Sequence, residues 1–381
     1  MAFFRVGPHW VETVYARPEP DAEDPAILDR LTRLIDGTPP GESIRGTIFR
    51  LTVESVRDAL VEAQQRGVDV RIVHNGRDRS SEVAASLSRR QPRGLGPNHR
   101  WSGADYDPAN PVPDYGAIAT GRFSDLHTKL FLFSRTTDPD DRVRHHVSWW
   151  GSANLSHQSG MRKANNAVVV YEDALLYERF LFSLWELMWA GVHFPRNDFY
   201  APREDRGVFM ASPALATKVF CSPEQDTDLW VNRLKSVIPD EWTRVSLAHV
   251  RFTDSRLAVA EELVRIAAGG GDVRVLVGAE EGFLGPAVRD RLESAGIPLL
   301  VGDIHDKLGL VASRYGVSRG MRKIVFSGSH NLNHDANWLN DEILVKTFSE
   351  PLYDDMLGHV DALWARGRAV DSEVAPEPDF P

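Results

Sequence analysis

Between Arg45 and Val73 the apolar positions change period twice. Arg45–Phe49 reads as a strand. Val56, Ala59, Leu60 and Ala63 then fall at i, i+3, i+4 and i+7, the apolar stripe of an amphipathic helix. Arg66-Gly67 ends that helix, because glycine takes the left-handed conformation without steric cost, and Val68–Val73 follows as a second strand. The same order returns later. A strand lies near Val245–Val250, a helix runs through Leu257, Ala260, Glu261 and Val264, Gly269-Gly270-Gly271 stops it, and Asp272–Val277 is the matching strand. Apolar runs at Leu130–Phe133 and Leu308–Val311 read as buried strands, and each copy finishes on an amphipathic helix. Strand–helix–strand, two further strands and a closing helix predict an α/β half-domain with a mixed sheet, present twice.

Short blocks confirm the duplication. Asp125-Leu126-His127-Thr128-Lys129-Leu130 is repeated as Asp303-Ile304-His305-Asp306-Lys307-Leu308, and Gly151-Ser152-Ala153-Asn154-Leu155 as Gly328-Ser329-His330-Asn331-Leu332. Asn165–Val170 then matches Asn340–Val345, and Leu176-Tyr177 with Trp189 and Gly191 matches Leu352-Tyr353 with Trp364 and Gly367. Four blocks in one order at nearly constant offset mark an internal duplication. The boundary is expected in the polar, proline-bearing stretch at 194–206, giving halves of 1–200 and 201–381. The stretch from Asn75 to Asp125 is about twice as long as its counterpart and carries Arg89, Arg90, Arg93 and Arg100, so it reads as a surface insertion or a substrate-shaping loop.

Composition narrows the classes. The chain has 381 residues, 42% hydrophobic and 26% charged, enough for a sizeable core, with a formal net charge of −10. No run reaches the roughly 18 apolar residues of a membrane span. The single cysteine, Cys221, excludes an internal disulfide and a cysteine-based zinc site. The first residues lack the basic flank, apolar core and cleavage site of a leader, so the sequence as it stands reads as cytoplasmic, or as secreted if a leader has been removed. The acidic balance argues against bulk, sequence-independent nucleic-acid binding.

The repeated motifs carry the chemistry. Residues i and i+2 of a strand share a face, so His127 and Lys129 project together, as do His305 and Lys307. An imidazole beside an ammonium is a poor choice for a core and a good one for an anion site, where lysine neutralises charge and histidine attacks or moves a proton. The Gly-Ser-x-Asn turn adds a backbone donor, a hydroxyl and a carboxamide suited to phosphate oxygens. The His-to-Gly spacings are 24 and 23 residues in the two copies.

At these residues the chain resembles the phospholipase D superfamily over nearly its whole length. The resemblance implies two homologous half-domains, each a mixed β-sheet flanked by helices, related by a pseudo-twofold axis and sharing one site. It implies metal-independent cleavage or transfer of phosphodiesters through a phosphohistidine, with no cofactor. The carriers would be His127, Lys129, Asn154, His305, Lys307 and Asn331, with Ser152 and Ser329 supporting the phosphate. Two motifs in one chain remove the need to dimerise, so a monomer is expected.

The sequence departs from the family pattern in two ways. Ser134 and Ala312 stand five residues after the motif lysines, where many members have aspartate. Glu342 occupies the position of an acid that often bonds a motif histidine, whereas the first half has Ala167 there, beside Asn166. A carboxylate partner favours imidazolium, which suits the group that donates a proton first. On that argument His127 is the nucleophile, and His305 is the general acid oriented by Glu342.

Other residues weigh less. His145 and His146 are expected on opposite faces of a strand at Val143–Trp150, one exposed and one packed. His330 is expected near the site, either touching substrate or exposed, and His157 and His334 at an exposed rim. Trp185, Trp189 and Trp364 read as core residues; of Trp149 and Trp150, one should face the core and the other is free to line the cleft. The Gly-Met-Arg-Lys string at 160–163 and 320–323 is out of register and reads as coincidence. For substrate, Phe283-Leu284 and Met321 offer slim apolar contacts for a lipid. The arginines at 89–100 with those at 314–323 could form a basic groove for nucleic acid. The sequence leans to a phospholipid or related phosphodiester, with a nuclease, or a silent anion-binding scaffold of the same fold, as alternatives.

Overall fold

A computed structural model describes residues 1–102, 118–119, 124–192, 199, 209–212, 216–317 and 319–370. The expected boundary at 194–206 lies almost wholly outside the described residues.

The first half runs β1 (Ala2–Val6), β2 (His9–Ala16), α1 (Ala26–Asp36), β3 (Ser43–Ile48), α2 (Glu54–Gln65), β4 (Asp69–His74), α3 (Glu82–Leu87), β5 (His99–Trp101), β6 (Leu130–Thr137), β7 (Val143–Gly151) and β8 (Asn165–Tyr171). It closes on α4 (Ala174–Phe180), a π-helical turn at Leu181–Trp185, and α5 (Glu186–Ala190). The second half runs β9 (Phe209–Ser212), β10 (Thr217–Ser222), α6 (Leu229–Leu234), β11 (Val237–Ile238), β12 (Arg244–His249), α7 (Leu257–Ala268) and β13 (Asp272–Gly278). It continues with α8 (Pro286–Ser294), β14 (Leu299–Gly302), β15 (Lys307–Tyr315), β16 (Met321–Gly328), α9 (His334–Trp338), β17 (Glu342–Phe348), α10 (Glu350–Trp364) and β18 (Arg368–Ala369).

Two mixed sheets form among the described residues. One has the order β1-β2-β8-β7-β6-β3-β4-β5 and the other β9-β10-β17-β16-β15-β12-β13-β14-β18, with β11 added beside β15. Strand for strand the orders are the same. In each, the first strand of the strand–helix–strand unit pairs parallel with the second (β3 with β4, β12 with β13) and antiparallel with the strand following the motif histidine (β6, β15). The likeness therefore reaches further upstream than the sequence pattern: β1, β2 and α1 correspond to β9, β10 and α6.

Central strands are covered on both faces and read as nearly unbroken apolar runs, as such strands must. Val168, Val169 and Val170 of β8 and Ile343, Leu344 and Val345 of β17 are all buried. One continuous apolar core draws on both halves. Across it Trp150 Nε1 donates to Ser327 Oγ at 3.0 Å, and the Thr13 and Tyr15 hydroxyls each donate to Asp355 Oδ2 at 2.6 Å. Trp149 is buried as deeply as Trp150, in the core of its own half, so neither lines the cleft and that expectation is corrected. Trp185 is buried, its Nε1 donating to the Gly46 carbonyl at 3.1 Å, and stacks on Trp189. His145 is exposed and His146 half-buried against Tyr177.

Candidate active site

Each motif histidine sits just before a central strand, β6 or β15, and is held by the other half. His127 N donates to the Asp341 carbonyl (3.0 Å) and Asp341 N to the Asp125 carbonyl (2.9 Å). On the other side His305 N donates to the Ala164 carbonyl (2.7 Å) and Ala164 N to the Asp303 carbonyl (3.0 Å). Four reciprocal backbone bonds thus set the two histidines facing each other. Asp306, between His305 and Lys307, is buried; it accepts from Asn166 Nδ2 and bonds His359 Nε2 at 3.1 Å, which anchors the second motif across the interface.

Both histidines open onto one cleft of about 720 Å³, along with Asn154 and Asn331. Lys129 and Lys307 lie beneath the floor, almost wholly buried. Each Nζ donates to the carbonyl of its own motif histidine at 2.7 Å. Burial without a carboxylate in contact favours the neutral amine. It pulls Lys129 down to about 7, against the pull of Glu342 and Asp125, and Lys307 well below the usual ammonium range, with the Lys129 charge adding to the effect.

Glu342 accepts from His127, not His305. The His127 Nδ1 lies 2.7 and 2.8 Å from its two oxygens, and the carboxylate is completely buried. The expectation that Glu342 orients His305 is therefore corrected: Asp341, the residue before β17, is bridged to Leu126 of the first half, so the acid that opens β17 meets the opposite half's histidine. Burial pushes Glu342 up to about 7, opposed by Lys129, and burial with the Lys129, Lys307 and Arg251 charges holds His127 well below the usual histidine range.

His305 has no carboxylate partner among the described residues. Its Nδ1 lies 3.1 Å from the Ser152 carbonyl, 3.1 Å from Asn165 Oδ1 and 3.1 Å from the Lys307 Nζ. Both oxygens only accept, so Nδ1 carries a hydrogen and Nε2 is left for the cleft. Burial, with Lys307 and Lys129, keeps this ring neutral as well. Asn165 thus fills the role that Glu342 fills opposite, although the sequence pointed to Ala167 or Asn166.

Ser152 and Ser329 do not face the cleft. Ser152 Oγ donates to Asn165 Oδ1 at 2.9 Å and accepts from Asn166 N at 3.0 Å; Ser329 Oγ accepts from Ile343 N at 3.1 Å and bonds Glu342. Their assignment to phosphate is corrected: each is buried and braces the partner of a motif histidine. The asparagines do face the cleft. Asn154 Nδ2 donates to Ser159 Oγ at 2.7 Å, and the Oδ1 atoms of Asn154 and Asn331 are buried without a partner among the described residues. A half-turn of the Asn154 carboxamide lets Oδ1 accept from Ser159 and turns Nδ2 to a ligand.

His330 is neither exposed nor in the cleft. It is buried, its Nδ1 donates to the Asn331 carbonyl at 3.0 Å, and burial lowers it to about 4. His157 lies exposed at the rim, against Glu23, and His334 is exposed outside it. Ser134 and Ala312 lie along β6 and β15, away from the cleft, and Ser134 Oγ donates to Glu42 at 2.7 Å.

The basic groove expected from the arginines at 89–100 and 314–323 is absent from the cleft. Among the described residues its cations are Arg50, Arg77, Arg162, Lys163 and Arg251, which sequence reasoning missed. A signal existed: Arg50-Leu51-Thr52 and Arg251-Phe252-Thr253 follow corresponding strands. Phe49, Val250 and Phe283 are the apolar lining among the described residues, and Met321 is exposed elsewhere.

The family described as "Cardiolipin synthase, PLD-like domain" matches residues 31–185 and 240–364. No curated protein matches the sequence. Among solved structures, phosphatidylserine synthase from Haemophilus influenzae Rd KW20 is similar at 14% identity and a TM-score of 0.55, over 89% of this chain and 83% of that one. Polyphosphate kinase from Porphyromonas gingivalis is similar at 14% identity and a TM-score of 0.54, over 96% of this chain, which spans about half (53%) of the kinase. Nuc from Salmonella typhimurium, a phospholipase D family member, has 25% identity and a TM-score of 0.32, over 40% of this chain and 95% of its own. With a family match over most of its length and the two-half fold in hand, the chain belongs to the phospholipase D superfamily of phosphodiester-acting enzymes, within its cardiolipin synthase, PLD-like domain family.

Proposed function

We propose that the protein cleaves or transfers phosphodiesters through a phosphohistidine on His127, without a metal. The observation that carries this reading is that His127 and His305, one from each half, share one cleft with Nδ1 of each tied down. Nε2 of His127 attacks phosphorus. As the N–P bond forms, the P–O bond to the leaving group breaks, and the leaving oxygen takes a proton from Nε2 of His305. Water or an alcohol then gives its proton to His305 while its oxygen attacks phosphorus, and the N–P bond breaks. Lys129 and Lys307 neutralise the nonbridging oxygens, which Asn154 and Asn331 help to hold.

Glu342 supports His127 as the nucleophile for a reason other than the one drawn from sequence. A phosphorylated imidazole is a cation, and a carboxylate on its Nδ1–H stabilises that charge as it develops. His305, with carbonyl partners, gives up its proton more readily. Both rings are neutral in the empty site, and the negative charge of the substrate promotes protonation of His305.

The cleft is largely polar, which favours contact with the phosphate-bearing part of a substrate over contact with acyl chains. Hydrolysis of bis-p-nitrophenyl phosphate in EDTA tests the reading. His127→Ala should lose about 10³-fold or more. Protein quenched from turnover in alkaline denaturant, where the acid-labile N–P bond survives, should carry label on His127. Chelator-sensitive activity, or label on His305, would overturn the assignment. Added ethanol separates transfer from hydrolysis by the appearance of an ethyl ester.

A further inference from the structure

Among the described residues five cations line the cleft, and three are already matched. Arg77 pairs with Asp125 at 3.2 Å, Arg162 with Glu23 at 3.0 Å, and Lys163 with Glu280. Arg50 and Arg251 are both exposed, and among the described residues neither has a carboxylate partner.

These two occupy equivalent places. Each stands two residues beyond the end of its strand, β3 or β12. The Arg50 carbonyl accepts from Leu155 N at 3.1 Å and the Arg251 carbonyl from Leu332 N at 3.2 Å. Thr52 N and Thr253 N then donate back to the same two leucines, at 2.9 Å each. Each arginine is thereby fastened to the Gly-Ser-x-Asn turn of its own half, one on either side of the histidine pair. Arg251 is braced further, its guanidinium lying 4.6 Å from the centre of the Phe283 ring. A guanidinium without an acid in a polar cleft can take two oxygens of a phosphate side by side, and the Phe283 ring holds Arg251 in place to do so.

On the phosphodiesterase reading the scissile phosphate is served by Lys129 and Lys307, which lie beneath the cleft floor. We propose that Arg50 and Arg251 are specificity-determining residues that bind further phosphates on the two arms of the substrate, so that the preferred substrate is a phosphodiester flanked by additional phosphates. The inference rests on the phosphodiesterase reading only for the position of the scissile group. A phosphorylated oligonucleotide and a glycerol-based polyphosphodiester headgroup share this chemistry.

Binding tests the proposal separately from turnover. In the His127→Asn protein, calorimetry compares thymidylyl-thymidine with the same dinucleotide phosphorylated at both ends. A second arm compares glycerophosphoglycerol with its homologue carrying a second phosphodiester. The flanked ligand of at least one arm should bind about tenfold or more tightly, and the stronger arm identifies the source. Arg50→Gln and Arg251→Gln should each bring the flanked-to-unflanked ratio in that arm toward one, with the unflanked ligand reporting that the site is intact. Equal affinity for flanked and unflanked ligands in both arms, or a preference that survives both substitutions, overturns the proposal. Failure to cleave bis-p-nitrophenyl phosphate would instead sink the catalytic reading and leave these ratios to be judged on their own.

Discussion

Replacing Glu342 by Gln isolates one charge in a buried pair. The carboxylate is fully buried and meets His127 Nδ1 at 2.7 and 2.8 Å, so the carboxamide fits the same space and still accepts a hydrogen bond. What disappears is the attraction between a carboxylate and the imidazolium that forms when His127 takes the phosphoryl group. With the ring charge about 4 Å away on average and an effective dielectric near 20, that attraction is about 4 kcal/mol. The neutral hydrogen bond that remains returns roughly 1 kcal/mol. The difference, about 3 kcal/mol, is about two powers of ten in kcat/KM. Because the charge develops only as the N–P bond forms, the loss should fall on kcat, with KM nearly unchanged. Pre-steady-state release of p-nitrophenol reads the phosphorylation step directly and should slow by the same factor, whereas Asn165→Ala, on the His305 side, should chiefly slow leaving-group protonation and deplete activity on poor leaving groups. An unchanged burst rate in Glu342→Gln, or a loss confined to KM, would refute the role given to this carboxylate.

Three further outcomes are expected. Lys129→Met or Lys307→Met should each cost about 10²-fold in kcat/KM, and tungstate should lose its ability to raise the melting temperature, as read by scanning fluorimetry. His74, His99, His127, His249, His305 and His330 are all depressed by burial, so the unfolded chain binds protons that the folded one refuses once pH falls below about 6.5. The histidine contribution should be complete above that pH and fall by up to about 1.4 kcal/mol per histidine per unit below it, whereas the depressed Lys129, Lys307 and Lys346 lose theirs at higher pH, between the ordinary ammonium range and about 7. Glu342, raised to about 7, acts in the opposite direction as a single group. Urea midpoints that stay flat from pH 7 to 5 would contradict this. Gly328→Ala should destabilise the protein and abolish activity, because φ is +145° and a Cβ would sit 2.2 Å from the Ile343 carbonyl oxygen, forcing apart the turn that carries Ser329 and Asn331; circular dichroism melts of Gly328→Ala against wild type measure it.

Much of the fold was legible because a duplicated strand–helix–strand pattern repeats its own evidence. The strand at Asp272–Val277 and the helix around Val56–Ala63 appear in place, since both are set by local period and glycine punctuation. The upstream elements β1, β2 and α1 were not connected to their counterparts, because packing preserves a strand's position in a sheet without preserving its residues. The basic groove went wrong for a similar reason. Runs of arginine draw the eye, yet Arg100 lies over Trp189 on the flank, while the cleft takes its charge from isolated arginines at strand ends.

The sequence by itself determined the chemistry available: two His–Lys pairs and two Gly-Ser-x-Asn turns, in register, with one acid at Glu342 and none opposite. Periodicity and motif spacing carry that information because they are local. Only the tertiary structure decided which group serves which. Glu342 belongs to His127, Asn165 to His305, and Ser152 and Ser329 to the layer beneath. The reason is that Ala164 and Asp341, the residues just before β8 and β17, are bridged to Ile304 and Leu126 beside the opposite half's motif histidine, through backbone hydrogen bonds that leave no trace in residue identity.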